Sequence, residues 1–302
     1  MAEALRPPLR RPLRRPWGSL WRGPSNRFGV VVFVLIVLMA LVPHEWLPHD
    51  PTGIDLRVAN RPGAWAGNWA HPFGTDFLGR DMLSRAVYAT RLTLVISASA
   101  VVLATVLGTV SGMLAGFYGG WIDDVVSWAV DVQLALPVMA LAIAVIAVVG
   151  GGITNLIAVL AATSWFTMAR VVRARTLAIT QETFIEAARA LGAGHVRVLL
   201  RHVLPNVSSQ VLAVATFDMA RLVLAESALS FLGLGVTPPN VTWGGMIGDG
   251  RAYVYDAWWT ATLPGLLIAL LVISFNFVGD AVRDAMDPVL QRRGGKGGEA
   301  QA

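Results

Sequence analysis

Residues 186–205 read EAARALGAGHVRVLLRHVLP, a polar, arginine-bearing segment set between two apolar runs long enough to cross a bilayer. The spacing predicts a helix, a sharp break and a second helix. Thr183-Phe-Ile-Glu186 fits a capping box, in which hydroxyl and carboxylate satisfy orphan N–H groups. Ala187, Ala188, Ala190 and Leu191 are strong helix formers, and the small alanines leave a flat face that another protein surface can approach. Gly192-Ala193-Gly194 supplies freedom for a reversal. From His195 to Val203 basic and apolar residues interleave, and Pro205 is expected to end that helix. From these residues alone an ordinary amphipathic hairpin, with Glu186 only capping, is as good a reading as a docking element. A DNA-binding helix-turn-helix has the same outline but would not be tethered at both ends to membrane spans.

Working outward, the chain has 302 residues, 55% of them hydrophobic and 14% charged. Soluble proteins average about 25% charged, so this is a membrane protein by composition. No cysteine is present, which removes disulfides and thiolate chemistry. The net charge of +5 comes almost wholly from arginine, Lys296 being the single lysine. In a bilayer protein such an excess reads as topology rather than nucleic-acid binding.

The expected organisation is a basic N-tail (1–27), a first span (28–47), an extracytoplasmic loop (48–90), a core of five further spans (91–281) with the polar segment at 180–205, and a C-tail (282–302). Within the core, spans are read at 92–117, 125–149 (kinked at Pro137), 153–171, 206–231 and 258–278. Gly108, Gly112 and Gly116 form a small-xxx-small row for close helix contact. With six spans and the N-terminus inside, 17 of the 24 Lys and Arg residues fall on the cytoplasmic side and six outside, Arg221 lying within a span. That bias fits the positive-inside rule, although Arg80, Arg85 and Arg91 crowd the second span from the wrong side. Asp81 and Arg85 are placed to pair one helical turn apart.

Candidate chemistry is sparse. His44-Glu45-Trp46-Leu47-Pro48-His49 is superficially a zinc-protease helix, but its histidines are five apart and Pro48 breaks the helix, so no metal site is read there. All five histidines are placed in loops, and no catalytic set converges in the spans. Asp131, Asp218, Arg221 and Glu226 are the intramembrane charges, either on a solute pathway or clamping helices together. Clamping is preferred, with Asp218 and Arg221 neutralising one another. Lys296 sits in Gly-Gly-Lys-Gly-Gly without a following hydroxyl, so no Walker A site is recognisable and no cofactor is expected on this chain.

The spacing E-A-A-x3-G ending in Leu204-Pro205 resembles the EAA loop of ABC importer permeases. HPFGTDFLGRDMLSR (71–85), GFYGGWIDD (116–124), ESALSFLGLGVTPPNVTWGGMI (226–247) and, more weakly, GDAVRDAMDP (279–288) are similar to the C-type permease of dipeptide, oligopeptide and nickel importers. Trp128 departs from that pattern, standing where a basic partner for Asp131 would be expected. The resemblance implies an all-α integral membrane protein with six transmembrane helices in the type I (MetI-like) permease fold. It implies a bacterial inner-membrane location with both termini cytoplasmic, and import of peptides or related solutes (nickel being the alternative cargo) without catalysis by this chain. It implies a homologous permease partner, two ATPase subunits that carry ATP and Mg, and an extracytoplasmic binding protein. Glu186, Ala187, Ala188, Leu191, Gly192, Ala193, Leu204 and Pro205 would form the ATPase-coupling loop. An ion-coupled secondary transporter is the remote alternative, but the matching internal repeats it calls for are not seen.

Overall fold

The computed structural model describes residues 23–286, so most of the basic N-tail and of the C-tail, Lys296 included, lie outside the described residues. Apart from a single bridge between Thr75 and Asp81, the described residues form helices and turns. The helices are α1 (Pro24–Ala40), α2 (Met82–Tyr118), α3 (Gly120–Ala135), α4 (Val138–Val149), α5 (Ile153–Ala162), α6 (Trp165–Thr180), α7 (Thr183–Ala190), α8 (His195–Val198), α9 (Leu204–Phe231), α10 (Trp243–Gly250) and α11 (Trp259–Met286).

Helix α2 is the shaft of the molecule. Its 37 residues extend for about 55 Å at 1.5 Å per residue. It begins at Met82, ahead of the span expected from 92, in keeping with the shared helical face of Leu83, Ala86, Val87, Thr90 and Leu94, and the Asp81 carboxylate caps it by accepting from the Ser84 N–H at 2.8 Å. The glycine row packs on α6. A Cβ at Gly108 would lie 2.5 Å from the Trp165 carbonyl, one at Gly112 would lie 2.5 Å from the Ala169 carbonyl, and one at Gly116 would lie 2.7 Å from the Arg173 carbonyl. Only a hydrogen at these positions lets the two backbones approach so closely.

Among the described residues, three spans meet length and apolarity together: Met82–Tyr118, Ile153–Thr180 and Trp259–Arg283. The expected kinked span at 125–149 is instead two helices, α3 and α4, bent by 94°. Pro137 explains the break: it forces Leu136 out of the helical region, to φ −103° and ψ 138°, as the residue before proline generally requires. The span expected to stop at 171 runs on through a short break at Thr163–Ser164 to Thr180. The turn expected over 119–124 reduces to Gly119, with α3 resuming at Gly120. Helix α1 is apolar but only 17 residues long, and it ends at Ala40, short of the expected 47. Helix α9 has 28 residues but carries Asp218, Arg221 and Glu226.

One core lies where α2, α10 and α11 meet, around Met82, Trp243, Trp259 and Leu271. Another surrounds Ile96, Ile146, Leu160 and Leu229. A third gathers Met113, Val172, Ile185, Val198, Leu199 and Val203 at the far end of the shaft. Outward, α2 exposes Val95, Val102, Val106 and Val110. Such apolar outer faces suit acyl chains or another apolar subunit rather than water.

Candidate functional site

The polar segment is folded onto the C-terminal end of α2. Ile185, fully buried, anchors α7 in the third core against Val198, Val203 and Val207. The Arg189 guanidinium lies over the Phe117 ring at 5.3 Å, and the His195 ring sits edge-on to Phe117 at 5.6 Å and Tyr118 at 5.7 Å. Helix α7 closes with paired backbone bonds, Gly192 N–H to the Arg189 carbonyl at 2.9 Å and Ala193 N–H to the Ala188 carbonyl at 3.0 Å. This closure needs a left-handed residue, and Gly192 supplies it at φ 82°.

Two expectations fail here. The capping box does not form, because Glu182 is the N-cap and Thr183 is already helical, one position too late to cap. Nor does Pro205 end a helix. Residues Leu199–Val203 form a π-helical turn that joins α8 to α9, and Pro205 occupies the first turn of α9, where its missing N–H costs little. His195 and His202 lie in α8 and the π turn, within the stretch expected to be the second helix.

The bend therefore presents its motif outward. Glu186, Ala187, Gly192 and Pro205 are exposed, Ala188, Ala193 and Leu204 are half-buried, and Leu191 is 89% exposed.

At the other end of α2 charges face inward. Asp76 accepts from the Leu78 and Arg80 backbone N–H groups, both at 2.9 Å, from Arg80 Nε at 2.7 Å and from Arg85 Nη1. Asp249, on α10, accepts from Arg80 Nη2 at 3.3 Å and Arg85 Nη2 at 3.2 Å. The expected Asp81–Arg85 pair is not made; Arg85 turns to Asp76 and Asp249, while Asp81 receives Ser84 and His71. This network accounts for two of the three arginines that looked misplaced. Their partners could not be read locally, since Asp249 lies 164 positions from Arg85.

The four charges expected within the membrane separate by surroundings. Asp218 is buried and accepts from Arg221 Nη1 at 2.9 Å, as the three-residue spacing suggested. Arg221 reaches a cavity of about 110 Å³ lined also by Val138, Leu160, Thr163 and Ser164. Glu226 is fully buried and accepts from the Ser230 hydroxyl at 2.7 Å. Beside it the α9 backbone at Ser227 meets α10 so closely that a Cβ at Gly244 would collide with the Ser227 carbonyl. Asp131 is exposed and lies 3.6 Å from Arg170, which takes the place of the basic neighbour that Trp128 denies it. A pair that sequence reasoning missed, Arg173 with Asp123 (Nη2 to Oδ2 2.6 Å), ties α6 to α3 across 50 positions.

Residues 108–292 match the family of binding-protein-dependent transport system inner membrane components. The chain belongs to this family. It is a multi-pass inner-membrane permease component of an ABC importer. It is 40% identical over 272 residues to the nickel transport system permease protein NikC of Escherichia coli K12, covering 88% of this chain and 95% of that one. It is 38% identical over 280 residues to the glutathione transport system permease protein GsiD of Escherichia coli O6:K15:H31, covering 91% of each. A Brucella suis protein named as a putative peptide permease is 36% identical over 263 residues, 86% of each chain. Among solved structures, the inward-facing MetNI methionine ABC transporter matches with a TM-score of 0.54 and 24% identity, over 68% of this chain and 98% of that one. That likeness establishes the all-helical permease fold.

Proposed function

We propose that this permease carries di- or oligopeptides, or related small solutes, across the inner membrane by alternating access. It pairs with a homologous permease and is driven by two ATPase subunits that bind ATP and Mg, while a binding protein delivers the solute from outside. The chain itself contributes neither a nucleotide site nor catalytic residues. The peptide reading is supported by the relative named as a peptide permease and by the glutathione permease, glutathione being a small peptide. Nickel stands second, on the 40% identical nickel permease.

The observation that carries the reading is the bend at 183–205, anchored at the end of α2 with its motif exposed. Glu186, Ala187, Ala188, Leu191, Gly192, Ala193, Leu204 and Pro205 form the surface that an ATPase grips. Because Ile185 and the rings around Phe117 fix this bend to α2, α6 and α9, a push on it moves those helices as a body. ATP then biases inward- against outward-facing arrangements.

Six transmembrane passes with both termini cytoplasmic complete the proposal, α1 and α9 serving as spans and α3 with α4 as one broken span. Charge bias supports this orientation, and Arg80 and Arg85, the strongest exceptions, are neutralised by Asp76 and Asp249. Glu226, bonded to Ser230 and to Thr242 at the start of α10, and Asp131, paired with Arg170 of α6, act as helix clamps, while Asp218 neutralises Arg221 within α9.

The test is Ala187→Arg in the assembled transporter. Uptake by proteoliposomes should fall to background while the variant still inserts; normal uptake with ATPases bound sinks the coupling assignment. Solute entry without any ATPase would favour an ion-coupled carrier instead.

A further inference from the structure

The segment that resembles a zinc-protease helix in sequence acquires a different partner set in three dimensions. His49 meets His71 and Asp81 beside the start of α2, and one ligand atom from each lies within 4.8 Å of the others. Asp81 Oδ1 is 3.0 Å from His71 Nδ1 and 3.9 Å from His49 Nδ1. The Asp81 side chain is fully buried, and its other oxygen accepts from the Ser84 N–H at 2.8 Å and the Ser84 hydroxyl at 2.7 Å. That leaves Oδ1 oriented toward the two imidazoles. The imidazoles lie 4.4 Å apart and are tilted by 33°.

His49 Nδ1 decides the reading. It is buried without a hydrogen-bond partner, although the His49 backbone is itself pinned, its N–H donating to Ser84 Oγ at 3.2 Å. A buried ring nitrogen left unpaired next to a carboxylate is costly unless something lies between them. A divalent cation would fill that role. At bonds of about 2.0–2.1 Å, two ligands on a tetrahedral ion are separated by about 3.3–3.4 Å, a distance that the observed 3.0 and 3.9 Å straddle.

We propose that His49, His71 and Asp81 form a zinc-class divalent metal site that staples the 44–81 loop to the first turn of α2. Two imidazoles and one carboxylate suit Zn²⁺, and Ni²⁺ or Co²⁺ in its place, far better than Mg²⁺ or Ca²⁺, which take oxygen ligands. Ser84 supplies the outer-shell bonds that orient the carboxylate. This site is structural and separate from the solute pathway, and it holds whichever cargo the importer carries.

The experiment uses the full chain in nanodiscs, purified with a tag free of histidine, stripped with chelator and titrated with ZnCl₂. Metal content, binding isotherms and thermal unfolding are read together, and Co²⁺ serves as the optical probe. Wild type should bind one zinc per chain, unfold at a higher temperature with zinc than without, and give the intense visible bands of tetrahedral Co²⁺; MgCl₂ should do none of this. His49→Ala should weaken zinc binding at least about tenfold, the scale at which even outer-shell losses act, and abolish the thermal shift. His49→Cys should retain binding, because thiolate is also a zinc ligand, and His44→Ala, outside the cluster, should behave as wild type. Should wild type bind no stoichiometric zinc, or His49→Ala bind it unchanged, the three side chains are only a hydrogen-bonded clasp and the proposal is overturned.

Discussion

The two ends of α2 solve opposite problems. At the Met82 end, Asp76, Arg80, Arg85 and Asp249 turn their charges on one another, and Asp76 and Arg85 are almost completely buried. At the Tyr118 end the chain buries only its anchors, Ile185, Val198 and Val203, and leaves Glu186, Ala187 and Leu191 facing out. One end is completed within the chain, whereas the other leaves exposed the motif on which the proposed function seats an ATPase. The two ends therefore matter in physically unlike ways, one to the chain's own stability and one to association, and substitutions separate them.

The largest effect on stability is expected from Asp76→Ala. It leaves Arg80 and Arg85 without their shared acceptor and frees two backbone N–H groups that Asp76 now receives. Removing one partner from a buried ion pair typically costs about 3–5 kcal/mol. Thermal unfolding in nanodiscs should drop accordingly, and a change indistinguishable from wild type would mean that the outer end is not self-contained. Gly112→Leu comes next. It acts on the shaft between the ends, because even its Cβ would meet the Ala169 carbonyl at 2.5 Å. Forcing α2 and α6 apart costs roughly 1–3 kcal/mol by the usual scale of overpacking, and it should loosen both ends together in hydrogen exchange.

These ends differ just as much in how far sequence reaches them. The bend is readable because its signals are local: alanines for the helix, Gly192 for the reversal, charged residues between apolar runs. Even there a one-residue shift of the N-cap to Glu182 undoes the capping box, since hydroxyl and carboxylate caps depend on register. The glycine row is equally legible, being a periodic pattern on one helix. What stays hidden is everything made by distant partners. Arg80 and Arg85 look misplaced until α10 brings Asp249 to them, and this eight-residue helix, with its four glycines, carries no propensity signal of its own. The 94° break at Pro137 is visible as a kink but not in size. His49 is no half of a helical metal motif, yet its true neighbours, His71 and Asp81, lie further along the chain, beyond the reach of any local spacing rule.

Asp249→Ala should have a smaller effect than Asp76→Ala, although both acids touch the same arginines. The Asp249 side chain is 42% exposed, so water screens the bonds that are lost, and Asp76 still holds both guanidiniums. A cost of about 0.5–1 kcal/mol, the range of exposed pairs, is expected. If Asp249→Ala proved as damaging as Asp76→Ala, α10 rather than the 71–85 loop would be the organising element of that end.

The smallest effect on the chain, and the sharpest test of the contrast, belongs to Leu191→Ala. At 89% exposure the leucine makes almost no packing that the mutation could remove, and alanine keeps the helical preference of the C-cap turn. Unfolding should move by no more than about 0.5 kcal/mol. Yet the same side chain is the most exposed large apolar group on the bend, so an ATPase seated there would lose the burial of one leucine, worth about 1.5–3 kcal/mol. In affinity terms that is roughly a 10- to 150-fold weaker association, readable by titrating the purified ATPase onto nanodiscs. A stability loss without an affinity loss would reverse the argument, placing Leu191 with the inward-facing residues of the opposite end and leaving the bend without its most prominent contact.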